Sequence, residues 1–349
     1  MHIIFVINSL EHRGGTERVA SLLANHLSCH YDVTILSRNF DNKKNAYQLS
    51  MNVNDLKFIG SNFIFISKCK QYIAQNDPDI VIIHTMSKLT PVLLLGGVKA
   101  KRLYSLEHIS FGSHNILFRF LRHRLYKKLD KVITLTEEDA KSYDFIADKV
   151  STIANINPLR IKRSNHVSEP KVIVSIGRLT YQKGYDLLID AWSLVESKNP
   201  DWMLHIYGEG EDRNKLEKLI AKNSIKNIFL KGLTDDIKNV YDNATFYVMS
   251  SRYEGFGMVL IEAQSRGLPI VSFNCSSGPA EIITNDINGY LVENENVKVL
   301  AERISYLIDN ESVRKHFSNN ALLSAKRFEP KIIIKQWIDL IESEYKYSD

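Results

Sequence analysis

A chain of 349 residues, 44% hydrophobic and 24% charged, is long enough for two α/β domains and buries their cores without covalent staples. Its three cysteines, Cys29, Cys69 and Cys275, are widely spaced and odd in number, which excludes a zinc-ligand spacing and a disulfide framework and fits a reducing compartment. The net charge of +5 is uneven: residues 1–160 hold 21 basic and 14 acidic side chains and the remainder 24 and 26, so the first half is the one suited to a polyanion or an anionic membrane.

In chain order, MHIIFVINS has no basic stretch ahead of its apolar run and reads as a first strand, not a signal peptide. No run approaches the roughly 20 apolar residues of a spanning helix, so a soluble or membrane-surface protein is expected. Gly14-Gly15 separates that strand from the helical pattern TERVASLLANHL; there the backbone turns tightly or approaches a ligand, unless it is a plain βα turn. The runs DVTIL from Asp32, DIVIIH from Asp79, RLYSLE from Arg102 and KVITLT from Lys131 are apolar on both faces, as strands covered on both sides must be.

Between the last two runs lies SHNILFRFLRHRLYKKLDK, from Ser113 to Lys131. Ile116, Phe120, Leu121, Leu125 and Leu129 form an apolar stripe, beside the cations Arg119, Arg122, Arg124, Lys127 and Lys128. Basic amphipathic helices of this kind lie on anionic membranes. The alternative is a core-packing helix with a solvated cationic face.

Residues 157–170, polar, basic and bracketed by Pro158 and Pro170, read as an interdomain linker. A second alternating series follows: KVIVSIG from Lys171, WMLHIYG from Trp202, NIFLKG from Asn227, TFYVMSS from Thr245 and PIVSF from Pro269. Helices then close the chain, the last from about Lys331 to Tyr345. Strand–helix alternation in both halves predicts parallel sheets, and the linker and excess length argue against a single (β/α)8 barrel.

Two segments carry binding chemistry. In SSRYEGFGMVLIEAQSRGLPIVS, from Ser250, a strand ends in the glycine-bearing loop Glu254-Gly255-Phe256-Gly257 and a helix begins at once. Glycines allow close backbone approach and the first helical turn presents free N–H groups, an arrangement that binds phosphate. Glu262, eight positions after Glu254, suits the hydroxyls of a ribose. In SIGRLTYQKGYDLLIDAW, from Ser175, Arg178 and Lys183 lie between a strand's carboxyl end and a helix start, where two cations suit a diphosphate. Singly, each is as well explained by an ion pair or a solvated charge. GEGEDRNKLE, from Gly208, fails as a dinucleotide fingerprint because Arg213 occupies the third glycine position.

Taken together, Gly14-Gly15-Thr16-Glu17-Arg18, Gly177-Arg178-Leu179 with Lys183-Gly184, YGEGEDRNKLE, Glu254 with Glu262, and SGPAEII from Ser277 resemble glycosyltransferase family 4 over nearly the whole chain. The resemblance implies the GT-B architecture: α/β, two Rossmann-like domains facing a cleft. Its divisions would be residues 1–157, a linker at 158–170, residues 171–328, and a C-terminal helix at 329–349 crossing back to the N-terminal domain.

It further implies a retaining transfer of a hexose or N-acetylhexosamine from a nucleotide sugar, of the UDP class, to a lipid-linked surface glycan such as lipopolysaccharide or O-antigen. Arg178 and Lys183 would hold the donor diphosphate and Glu262 the ribose. Glu254 and the backbone of Phe256, Gly257, Met258 and Val259 would meet the donor sugar and phosphate. Gly14 and Gly15 would admit the N-terminal loop, and His108 would lie near the transferred sugar. The nucleotide sugar is a co-substrate, and no metal or other cofactor and no nucleic acid is expected. The protein is expected in the cytoplasm, peripheral on the cytoplasmic face of the inner membrane. A same-fold epimerase or phosphorylase and a non-catalytic nucleotide-sugar- or glycan-binding protein are the rival readings.

Overall fold

The computed structural model describes all residues except 41–42, 87, 114, 164–169 and 347–349. It contains two parallel sheets. The first holds β1 (His2–Val6), β2 (Asp32–Asn39), β3 (Val53–Ile59), β4 (Ile80–Thr85), β5 (Leu103–Glu107), β6 (Lys131–Thr134) and β7 (Val150–Thr152), in the order β3-β2-β1-β4-β5-β6-β7. The second holds β8 (Val172–Ile176), β9 (Met203–Tyr207), β10 (Ile228–Gly232), β11 (Phe246–Met249), β12 (Ile270–Asn274) and β13 (Gly289–Glu293), in the order β10-β9-β8-β11-β12-β13. The chain divides into two compact units, Met1–Ile156 with the helix Pro330–Lys346, and Asn157–Glu329.

In the first unit the central strands have no exposed face: Ile3 to Val6 of β1 and Ile80 to Ile83 of β4 are all fully buried. Each such side chain contributes roughly 1.5–3 kcal/mol by leaving water. One face is covered by the helix Gly15–Leu27 and, through Trp337, by Pro330–Lys346. The other takes Phe65, Cys69 and Ile73 of Asn62–Asn76, Leu93 of Leu89–Leu95, and Leu125 of Ile116–Leu125. In the second unit Trp192 of Tyr185–Glu196 and Ile304 and Leu307 of Val297–Asp309 pack with Ile173, Leu204, Phe246 and Val248.

Three strands do not stand out in the sequence. β3, an edge strand, mixes apolar and polar residues without a regular period and is mostly half-exposed; β7 has three residues; β13 is a five-residue edge strand that opens on a glycine. The expected linker also differs from expectation. Leu159 is buried, the Asn157 side chain donates to the Ile261 carbonyl at 2.8 Å, and Lys162 N–H to the Ser265 carbonyl at 2.9 Å. Residues 157–163 are therefore fastened onto the second unit by the carbonyls of the helix Met258–Ser265. Residues 164–169 of that segment lie outside the described residues.

Candidate active site

The strand order of the second sheet reverses between β8 and β11, and in open α/β sheets ligands bind outside the carboxyl ends at such a point. The buried Tyr247 hydroxyl staples the two strands there, accepting from Ile176 N–H at 3.2 Å and donating to its carbonyl at 3.1 Å. The loops beyond are packed just as closely. Gly184, at φ 61°, precedes the helix Tyr185–Glu196, and a Cβ on it would overlap the Ser250 carbonyl oxygen. Only glycine fits. Ser250 Oγ donates to the Lys183 carbonyl at 3.0 Å, and Arg252 forms a bidentate pair with Asp186 at 2.9 and 2.7 Å.

This packing brings Lys183 and Glu254 together. Lys183 Nζ lies 2.5 Å from Glu254 Oε1, which also accepts from Ser251 Oγ at 2.7 Å. The two side chains are only 17% and 8% exposed, so this is a mostly dehydrated charge pair at the switch point. Arg178, beyond the end of β8, is exposed, and its guanidinium makes no ion pair or hydrogen bond among the described residues.

Gly257, at φ 89°, precedes the helix Met258–Ser265, whose first turn carries Met258 and Val259 and leaves N–H groups free of helical partners. Phe256 is buried edge-on against Phe328, which fixes the loop from below. Glu262 is 1% exposed; its Oε2 accepts from the Tyr241 hydroxyl at 3.1 Å, and that hydroxyl also reaches the Val259 carbonyl at 3.3 Å. The staple Tyr247, the orienting Tyr241 and the Arg252–Asp186 clamp were not singled out from the sequence; each belongs to a pair far apart along the chain.

Gly14, Gly15 and His108 belong to the first unit. Of the readings of Gly14-Gly15 as a tight turn, a ligand approach or a plain βα turn, the backbone does not take the first: Gly14 is extended (φ −111°, ψ 169°), Gly15 opens the helix, and a Cβ on Gly15 meets nothing within 4 Å. Neither backbone conformation requires glycine; what Gly15 leaves is open space.

His108 follows β5, its N–H bonded to the Thr85 carbonyl at 2.9 Å. Its Nε2 lies 3.2 Å from Nδ1 of His84, the buried penultimate residue of β4. Burial keeps both imidazoles neutral: desolvation pushes His108 down to about 3, and burial, then the neighbouring His108, pushes His84 well below the ordinary range.

The Ser113–Lys131 stretch requires a correction. The helix spans Ile116–Leu125, and His114 lies outside the described residues. Arg122 is not on a cationic face; it is fully buried and paired with Glu107, the last residue of β5. Arg122 Nε donates to the Tyr126 hydroxyl at 2.9 Å, and Glu107 Oε1 accepts from Tyr126 at 3.0 Å and Ser105 at 2.5 Å. A buried carboxylate needs such partners, and Arg122 supplies the compensating charge. Leu125 and Leu129 are likewise buried in the core, whereas Ile116, Leu117 and Phe120 are 78%, 70% and 58% exposed. Among the described residues no three His, Cys, Asp or Glu side chains are grouped as a metal ion would need.

Comparison with known proteins covers both units. The family described as "Glycosyltransferase Family 4" matches residues 13–156, and "Glycosyl transferases group 1" matches 158–323. A protein named amylovoran biosynthesis glycosyltransferase AmsD, from Erwinia amylovora, is 33% identical over 97% of this chain and 99% of its own. The fold is that of Staphylococcus aureus TarM, solved as a mutant with fondaparinux, α-GlcNAc-glycerol and UDP (TM-score 0.81, 17% identity, 97% of this chain and 99% of that one). It is also that of Anabaena HepE, solved with UDP and glucose (TM-score 0.81, 18% identity, 98% and 100%).

Proposed function

The chain belongs to glycosyltransferase family 4, and from that premise we propose that it moves a hexose or N-acetylhexosamine from a UDP-sugar to a hydroxyl of a lipid-linked bacterial surface glycan, with retention at the anomeric carbon. The observation that carries the reading is the Lys183–Glu254 pair at the β8/β11 switch point, with Arg178, unpaired among the described residues, and the helix start at Gly257 on the neighbouring loops. As the sugar becomes oxocarbenium-like, charge builds on the departing diphosphate. Arg178, Lys183 and the N–H groups from Gly257 to Val259 stabilise that charge, so the transfer needs no metal. Glu254 and the Phe256 backbone meet the donor sugar and phosphate. Glu262, oriented by Tyr241, holds the ribose. The family resemblance gives His108 the contact with the transferring sugar and Gly14-Gly15 the close backbone approach.

The UDP class is supported by the UDP held in the TarM and HepE structures, and the surface-glycan acceptor by the name of the Erwinia relative. The enzyme works at the cytoplasmic face of the inner membrane, docked through the exposed Ile116, Leu117 and Phe120. The test is a panel of UDP-sugars with a lipid-diphosphate glycan, read as released UDP with and without EDTA. Acceptor-dependent release that survives EDTA is expected. Donor-only epimerisation, dependence on phosphate, or no turnover would replace the reading with an epimerase, a phosphorylase or a binding protein. Loss in EDTA restored by Mg²⁺ or Mn²⁺ would remove its metal-free part.

A further inference from the structure

Beside His108 stands a histidine that this reaction leaves unused. The rings of His84 and His108 are nearly parallel, 19° apart with centroids at 5.4 Å, and the Phe5 ring backs His84 at 4.8 Å. One proton lies between His84 Nδ1 and His108 Nε2, 3.2 Å apart. The other nitrogen of His84, Nε2, is buried and has no hydrogen-bond partner among the described residues. His84 Nε2 is therefore an acceptor with capacity for a partner that arrives from outside.

A cavity of about 330 Å³ lies against that residue. It opens at the carboxyl ends of β1 and β4, the switch point of the first sheet. Phe65 and Leu89 supply apolar wall, Asn8 supplies hydrogen-bonding groups, and Glu17 and Lys88 set one acid against one base. Such a lining suits a neutral, hydroxyl-rich ring with an apolar face better than a phosphate.

We propose that this cavity is a sugar subsite in which a hydroxyl of the acceptor glycan donates to His84 Nε2, and that His84 is the positioning residue that passes this contact to His108. The inference rests on the reading of His108 as the sugar-contacting residue. With Nε2 accepting, the proton of His84 sits on Nδ1 and is donated to His108 Nε2. His108 then carries its own proton on Nδ1, the N–H donor that the proposed sugar contact requires. No proton is gained or lost; occupancy of the cavity selects one tautomer pair of the two.

The H84N variant retains a polar atom near Nδ1 and lacks Nε2; H84Q does the reverse. H84N is expected to raise the acceptor KM roughly five- to tenfold, the size of one hydrogen bond, at nearly constant kcat. H84Q is expected to lower kcat at nearly constant KM. A titration that needs no turnover accompanies the kinetics: wild-type protein with ¹⁵N-labelled histidines, titrated with methyl α-D-glucopyranoside and methyl N-acetyl-α-D-glucosaminide. Ring nitrogens of both His84 and His108 should shift together in the wild type, and those of His108 should stay still in H84Q. Still resonances of His84 with both glycosides would overturn the subsite. Equal loss of KM and kcat in both variants with a lowered Tm would overturn the positioning role. If no UDP-sugar is turned over, the reaction reading fails while the titration still decides the subsite.

Discussion

Arg178 and Lys183 carry the same charge in different surroundings, and this separates their expected effects. Lys183 is mostly buried against Glu254, whereas Arg178 is exposed and unpaired among the described residues. Arg178→Ala and Lys183→Ala should each weaken UDP binding by about 1.5–3 kcal/mol, the value of a hydrogen bond to a charged group. Only Lys183→Ala should also lower Tm, because it strands the buried carboxylate of Glu254. Calorimetric titration with UDP and thermal unfolding read the two effects; unchanged UDP affinity in both variants would remove the diphosphate assignment. The two buried histidines set a pH dependence of stability. Their folded pKa values lie below the ordinary value of about 6.5, that of His108 at about 3. Between those values the unfolded chain binds protons that the folded chain refuses. The stabilising contribution is therefore complete above about pH 6.5 and is lost as pH falls toward about 3, by up to about 1.4 kcal/mol per pH unit for each histidine. Tm should fall between about pH 7 and about pH 5, and less steeply in His84→Phe, which removes one of the two groups.

The helix Ile116–Leu125 is tied to β5 by a charge pair that neither partner can lose alone. Arg122→Ala or Glu107→Ala leaves the other charge buried, a change that costs about 3–5 kcal/mol. Joint replacement by Met and Leu should recover most of that stability, and thermal denaturation of the three variants checks it. The same pair marks where the sequence ceases to be legible. Spacing placed Arg122 among Arg119, Arg124, Lys127 and Lys128, and nothing local distinguishes it from them. The available signal was Glu107, an acid closing a strand otherwise buried on both faces, which requires a cation from elsewhere. The loops at the β8/β11 switch point were readable as strand-to-helix turns because strand, glycines, cations and helix start follow one another in the chain. β8, β9, β11 and β12 were readable from predominantly apolar runs, broken only by single polar residues such as Ser175, His205 and Ser272. β3, β7 and β13 were not, because edge strands need only half of that pattern. His84 was passed over because its meaning lies in a partner 24 positions away and in a cavity assembled from four segments.

At the scale of the whole molecule the charge is divided, +7 over residues 1–160 against −2 over the rest, and no helix among the described residues is long and apolar enough to cross a membrane. The positive half also presents Ile116, Leu117 and Phe120 to water on one short helix, with Arg119, Arg124, Lys127 and Lys128 exposed around them and the Arg124 guanidinium 5.3 Å from the centre of the Phe120 ring. In a helix lying on a membrane, apolar side chains enter the headgroup boundary while cations meet anionic lipid, and this helix carries both kinds of side chain. Each basic residue contributes on the order of 1 kcal/mol at an anionic surface, and salt screens that part alone. Replacing Arg119, Arg124, Lys127 and Lys128 by Gln should therefore abolish most co-sedimentation with anionic vesicles at low salt. Arg122 must stay, because its charge holds the fold. Phe120→Ser should weaken binding at low and high salt alike, since it removes the apolar part. Neither variant should change turnover of a soluble acceptor analogue, because none of the replaced residues lines the proposed acceptor cavity or belongs to the proposed donor site. Wild-type protein that fails to sediment with anionic vesicles at low salt would make Ile116–Leu125 an ordinary surface helix and withdraw the membrane from the proposed function.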